Sequence, residues 1–411
     1  MDTTSNFAVR DMKKLTADKP KKTELEWLRS VITPLSSVEM THNDKDLTPI
    51  KELVRNSRVV ALGESSHGSS EIFKMKDRII KYLVENAGFN VFAIEANMTR
   101  AYKLNDYIVN GEGDPKELIK GMFFWTWDTQ EMLDLVVWMK KYNDAHQRKV
   151  IFTGFDMQEY EGPLPEIKDL LRKYDIRYSF DELERELKNL NGRRQASGRA
   201  YNANITGGEK LKIEISHLQQ SVAKMIPAED DREWFIQNVR LLKQFSELGF
   251  DRDKNMAENF LWTFNNSDKS SKFIIWAHNW HIKKNGNVMG AYLLKDLKKD
   301  YFACGFAFHK GSYTAYDYEI KKVARRKAQT SYPGTYEYYF HRIGERIFLI
   351  NFGNMTDIPQ SRWLRRDMLF RHTGSTKIKE EFGIDNLLKD FDALIYIDKS
   401  TSSTLLHHKV P

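Results

Sequence analysis

The segment RVVALGE (58–64) is apolar, too short for a helix, and ends in glycine and a carboxylate, so it reads as a buried strand. SSEIFKMKDRIIKYLVENAG follows and sets Ile72, Met75, Ile79 and Leu83 at spacings of 3, 4 and 4, one stripe of a helix that Gly88 can stop. FNVFAIEA (89–96) repeats the strand signal. A strand–helix–strand unit commits its two strands to a parallel pair with a right-handed crossover. This unit limits the fold more than any other feature of the chain.

The pattern recurs. Helices are predicted near 98–110 and 129–146, the second with Met132, Leu135, Val136 and Met139 on one face. Further strands are predicted at KVIFTGFD (149–156), KFIIWAHN (272–279), YFACGFAF (301–308), RIFLINFG (346–353) and FDALIYID (391–398). The expected class is α/β, a mostly parallel open sheet with helices on both faces. Residues 160–270 break the rhythm: they are charged, helix-patterned and nearly free of strand signals, which reads as an all-helical lid or insertion. Residues 1–50 are read as a lead-in segment, lysine-rich at its start, and 51–411 as one domain carrying the insertion.

Composition narrows the function classes. A hydrophobic fraction of 41% and an aromatic fraction of 12% exclude a disordered chain. The single cysteine, Cys304, excludes an intramolecular disulfide and a cysteine-built zinc site. The N-terminus lacks the apolar stretch of a secretory signal, and no apolar run reaches spanning length, so a cytoplasmic protein with no membrane partner is expected. The net charge of 64 − 57 = +7 permits a polyanion partner. The basic runs KKVARRK (321–327) and RWLRRD (362–367) have no RNA-motif surroundings, and nucleic acid is not expected.

The chemistry lies at strand ends. RVVALGE ends at Glu64 with His67 three residues on; FNVFAIE ends at Glu95, KVIFTGFD at Asp156, and KFIIWAHNWH at His278 and His281. Ligands of open parallel sheets bind outside the carboxyl ends of the strands, so these groups are expected to converge on one rim. Strand-final carboxylates also cap helices, and Asp156 fits that role equally well. Glu64 and Glu95 follow apolar runs, are expected to be buried, and need partners. His67 stands in GESSHG, between a strand and a helix start. His278 and His281 can face one site if the chain turns helical there, and H-x-x-H spacing also suits a metal.

Familiar signatures are absent: no G-x-S-x-G elbow around Ser65 and Ser66, no H-E-x-x-H, no phosphate-binding glycine loop. What remains is histidine and carboxylate acting on water. One imidazole takes the proton, a carboxylate orients it, and a second histidine or a cation stabilises the oxyanion. No cofactor and no metal is expected in that reading. A metal-dependent hydrolase with Glu64, His67, Glu95 and His278 or His281 as ligands is the rival, and a non-catalytic binding protein is another. Among the aromatics, Trp276 fits the core, whereas Trp125, Trp127 and Trp280 lie beside polar turns and are candidate walls for a large apolar ligand.

The stretch VVALGESSHGSSEIFKMKDRIIKYLVENAGFNVFAIEAN resembles the opening motif of the erythromycin esterase family, Gly-Glu-x-x-His-Gly after a strand, then a helix, Gly-Phe and a strand-final Glu. The likeness continues through WTWDTQEMLDLVVWMKKYN, VIFTGFDMQ, FDRDKNMAEN (250–259), WAHNWHI (276–282) and GFAFHKGSYTA (305–315), spanning roughly residues 50–400 in order. The resemblance implies an α/β core with a helical lid, hydrolysis of a macrolide lactone and macrolide resistance, with a small-molecule bulky ester as the partner. It implies that His67 is the general base, that Glu64 and Glu95 orient and charge-balance it, and that His278 and His281 hold the carbonyl or water. Antibiotic-degrading members carry an arginine in the first helix where this chain has Lys76, which keeps the charge and loses the planar fork. Lys76, His281, Trp125, Trp127 and Asp156 are then the expected substrate contacts. The oligomeric state stays open.

Overall fold

A computed structural model describes residues 19–40, 44–196, 205–247, 249, 251–353 and 355–407. Its strands are β1 (Ile32–Pro34), β2 (Val59–Leu62), β3 (Val91–Asn97), β4 (Ile151–Asp156), β5 (Phe273–Trp276), β6 (Tyr301–Asp317), β7 (Lys322–Lys327), β8 (Ile347–Asn351), β9 (Met368–Arg371), β10 (Phe382–Asp385) and β11 (Ala393–Ser400). The main sheet runs in the order β1-β8-β11-β6-β2-β5-β3-β4, with β7 paired to β6. The central strands β4, β3, β5, β2, β6 and β11 are all parallel, while β8 opposes β11 and β7 opposes β6. β9 and β10 form a separate antiparallel pair. The α/β class and mostly parallel sheet expected from the sequence are what the chain forms.

The helices follow from the same residues. Ser70–Ala87 starts where the Ser69 hydroxyl accepts the Ile72 N–H, and ends at Gly88, which takes φ +72, a conformation only glycine adopts at little cost. Along each strand, alternate residues feed opposite faces. Val60, Leu62, Phe92, Ile94, Ile274 and Trp276 pack with the helices at 70–87, 98–110 and 130–145. Val59, Ala61, Val91, Ala93, Phe273 and Ile275 pack with the helices at 252–265, 289–297 and 336–342. Both faces are therefore dry, as a parallel sheet requires.

Among the described residues, 160–270 hold five α-helices. Those at 163–173, 181–196, 209–222 and 229–246 share an apolar cluster of their own, which includes Leu171, Leu187, Leu218 and Leu242. The fifth, Arg252–Asn265, packs on the sheet through Met256, Ala257 and Phe260. No helix among the described residues is long and apolar enough to cross a membrane.

Several elements differ from the sequence reading. Within the lead-in, residues 22–31 form a helix and β1 joins the sheet edge against β8. β6 continues nine residues beyond the predicted stop at Phe308, because β11 and then β7 keep its backbone paired through His309, Lys310 and Gly311. The basic run 321–327 contains β7, and 362–365 is a 3₁₀ turn anchored by the buried Trp363. Of the lead-in, residues 1–18 and 41–43 lie outside the described residues.

Candidate active site

The chain moves from β2 outward to β3 and β4, then returns to place β5 between β3 and β2, and β6 on the other side of β2. The rim above β2, β5 and β3 is thus the switch point where an open parallel sheet leaves a crevice. Leu62 and Ile94 both lie level with Trp276, and Asn97 with Asp156. Glu64, Glu95, Asp156 and His278 therefore leave the sheet at one edge.

The Glu64 loop is fixed on both sides. The Gly63 N–H donates to the Cys304 carbonyl at 2.8 Å, and the Asn279 N–H to the Glu64 carbonyl at 2.8 Å. Gly63 and Gly68 are glycines for lack of room: a Cβ on Gly63 would lie 2.1 Å from Asn279 Oδ1, and one on Gly68 2.1 Å from the Thr314 carbonyl of β6. His67, on this loop, is nine-tenths buried.

Glu64 is fully buried and shared three ways. Its Oε1 takes His67 Nδ1 at 2.7 Å, and its Oε2 takes Lys76 Nζ at 2.8 Å and the Trp276 indole N–H at 2.6 Å. Burial alone would raise the Glu64 pKa, but the Lys76 charge and the His67 bond outweigh it and hold it below the usual carboxylate range. Burial pulls Lys76 down to about 8, against the attraction of Glu64. Because the ionised Glu64 only accepts, the His67 proton sits on Nδ1 and its Nε2 keeps a lone pair.

His278 has the opposite polarity. Burial, with the field of His67 next, drives its pKa far below the ordinary imidazole value, so it is neutral. Its Nδ1 accepts the Trp280 N–H at 3.2 Å and caps the short helix Asn279–Ile282, which puts the ring proton on Nε2. That Nε2 is buried without a hydrogen-bond partner. The His67 and His278 ring centroids are 5.2 Å apart. A lone pair and an unmatched N–H thus stand side by side.

A second charged cluster supports the floor. Glu95 accepts the His278 peptide N–H at 3.0 Å on Oε2, while Oε1 receives Arg252 Nη2 at 2.9 Å and His281 Nε2 at 3.3 Å. Arg252 also grips the buried Asp156, with Nη2 2.7 Å from Oδ2. His281 Nδ1 bonds Asp253 at 2.7 Å. Burial opposes its charge, but the Glu95 and Asp253 carboxylates outweigh this and push His281 up to about 9. His281 is then an imidazolium, so the 3.1 Å approach of Arg252 Nη1 to its Nε2 is a contact between two donors, not a bond; Glu95 Oε1 is reached by Arg252 Nη2 and His281 Nε2.

The expected substrate contacts sort unevenly. Lys76 has no exposed surface and faces Glu64, so it clamps the carboxylate from behind. Trp127 is also buried: it stands edge-on to His67 at 6.0 Å and donates its indole N–H to the Glu95 carbonyl, forming a floor, not a wall. Asp156 and His281 are tied up in the Arg252 cluster. Trp125 is half-buried, and Trp280 is exposed at the rim. Glu95 meets His278 and His281 directly and reaches His67 only through its field. Sequence reasoning missed Arg252 and Asp253, although both lie in FDRDKNMAEN; a paired charge opening an amphipathic helix was the available signal. It also missed His372, whose ring centroid lies 6.3 Å from that of His278.

For a metal, the donors named in the sequence reading are already engaged: Glu64 with Lys76, Glu95 with Arg252. Among the described residues no group of three or more His, Cys, Asp or Glu is placed to hold an ion.

The family model described as erythromycin esterase matches residues 84–400. A putative hydrolase of Bacillus subtilis (strain 168) is 25% identical over 425 residues, covering 92% of this chain and 92% of its own. An erythromycin esterase type II of Escherichia coli is 23% identical over 432 residues, covering 93% and 99%. The crystal structure of a Bacillus cereus protein superposes with a TM-score of 0.79 at 24% identity, covering 94% of this chain and 100% of that one. This last likeness is one of fold.

Proposed function

The chain belongs to the erythromycin esterase family, whose named relatives are hydrolases, and from that premise we propose that it hydrolyses a carboxylic ester with a water activated by His67. One observation carries the reading: the His67 lone pair on Nε2, fixed by Glu64, beside the unpartnered Nε2–H of a neutral His278.

His67 Nε2 takes a proton from water as the water oxygen attacks the ester carbonyl. The imidazolium formed is stabilised by the buried Glu64, which keeps its charge because Lys76 and Trp276 hold its other oxygen. The carbonyl oxygen becomes an oxyanion and accepts the His278 Nε2–H, a donor worth most where water is excluded. Collapse of the tetrahedral intermediate releases the alcohol as its oxygen gains a proton. Glu95 takes no proton; it fixes the His278 peptide and balances Arg252 and His281.

The specific form of this proposal is ring-opening of a macrolide lactone, by likeness to the type II esterase. Mass spectrometry of macrolides and of simple alkyl and aryl esters incubated with the protein tests both levels. Gain of one water by a macrolide supports the specific form. Turnover of simple esters alone retains the ester hydrolase and removes the macrolide. Recovery of every ester intact overturns the reading.

A further inference from the structure

His372 and Asp385 stand beside this site, and the mechanism above does not use them. β9 and β10 bring them together: in this antiparallel pair Gly383 lies opposite Phe370, and Gly383 and Asp385 occupy alternate positions of β10, hence one face. The His372 ring lies over Gly383, where a Cβ would come 2.9 Å from its Cδ2. His372 Nε2 pairs with Asp385 Oδ2, while Lys283 Nζ takes the other oxygen at 3.0 Å. Apart from that ion pair, neither ring nitrogen of His372 has a hydrogen-bond partner.

The pair is positioned on the catalytic loop. Thr373 donates both its N–H, at 2.9 Å, and its hydroxyl, at 2.7 Å, to the carbonyl of Ser65, the residue after Glu64. The His278 ring centroid lies 5.2 Å from that of His67 and 6.3 Å from that of His372. The exposed Trp280 stands edge-on to His372 at 6.0 Å. Asp385 also lines a polar cleft of about 170 Å³ with Lys283, Asp390 and Asn386, which gives the pair a route to solvent protons.

We propose that His372, oriented by Asp385, is a second acid–base residue of the ester hydrolysis, which protonates the leaving alkoxide. This rests on the ester-hydrolase reading and names the donor of the proton that the leaving alcohol gains. As the C–O bond breaks, its electron pair stays on the leaving oxygen and takes the Nδ1 proton of the His372 imidazolium, whose Nε2–H stays on Asp385. The acid product and the His67 imidazolium lose their protons to solvent, and His372 regains one, so the sum is ester plus water giving carboxylate, alcohol and a proton.

The experiment compares an alkyl and an aryl ester of the same acyl group, on the full chain, with His372→Gln and Asp385→Asn. A phenolate leaves without a proton, whereas an alkoxide needs one. His372→Gln is expected to lower kcat/KM by about 100-fold or more on the alkyl ester and by less than about tenfold on the aryl ester, with Asp385→Asn showing the same split more weakly. Should His372→Gln not fold, Gly383→Ala displaces the ring without removing it and must show the split. Equal losses on both esters, or no loss on either, overturn the proposal while the esterase stands. A wild-type protein that turns over neither ester overturns the esterase reading and this proposal with it.

Discussion

Lys76 and Glu64 form an ion pair in which neither side chain has any exposed surface, with Nζ 2.8 Å from Oε2. The ammonium also lies 4.2 Å from the Trp276 ring, whose N–H meets the same carboxylate. The crossover helix and two neighbouring strands thus converge on the group that sets the His67 tautomer.

Removing one partner of such a pair leaves a buried charge unmatched. Lys76→Met should lower stability by about 3–5 kcal/mol and reduce ester turnover as Glu64 gains a proton. Adding Glu64→Gln should recover much of the stability and none of the turnover. Denaturant unfolding and turnover on the same samples check this; a stable, active Lys76→Met shows that Glu64 does not depend on the pair.

His67→Ala should lower kcat by about 10²–10⁴-fold with little loss of melting temperature, because Glu64 keeps Lys76 and Trp276. The outcome that removes His67 from the mechanism is the reverse: a lowered melting temperature with near-normal turnover in the folded fraction.

The pair of Arg252 with Glu95 and Asp156 carries a similar load. Arg252→Met leaves two buried carboxylates facing one another and should cost about 3–5 kcal/mol, with turnover falling as the Glu95 bond to the His278 peptide shifts. Unchanged unfolding and kinetics would show that the cluster is dispensable.

His281 is held near 9, above its ordinary value of 6.5, so its charged form stabilises the fold. That contribution is full below about pH 6.5, fades as pH rises and is gone above about 9, and is at most about 3 kcal/mol. Lys76, lowered to about 8, acts with the opposite sign between about pH 8 and 10.5. The stability difference between wild type and His281→Asn isolates the first effect, since Lys76 is common to both. It should shrink from pH 6 to pH 9.5, and a difference that stays constant contradicts the assignment.

Gly68→Ala puts a methyl group against the β6 backbone, where neither chain can yield, and should destabilise by about 1–3 kcal/mol or more. Calorimetry decides; a neutral substitution would mean that the loop can move off β6.

The sequence by itself determined the sheet and its working edge. Short continuous apolar runs, helix stripes and stops such as Gly88 are local, so β2 to β5 and their crossover helices were legible, as was the convergence of Glu64, Glu95, Asp156 and His278. What each side chain touches was not. Lys76 and Trp127 look like ligand contacts in sequence because exposure is set by neighbours from other strands. Arg252 reaches Glu95 across 157 residues and Thr373 reaches Ser65 across 308, and no local pattern records such pairs. β1, β7, β9 and β10 are short or charged segments whose strand state comes from a partner's open hydrogen bonds, not from their own composition. Only the tertiary structure decided that His278 is neutral and His281 charged. Two histidines three residues apart share the same chemistry, and the difference lies in the Glu95 and Asp253 carboxylates packed against one and the His67 ring against the other.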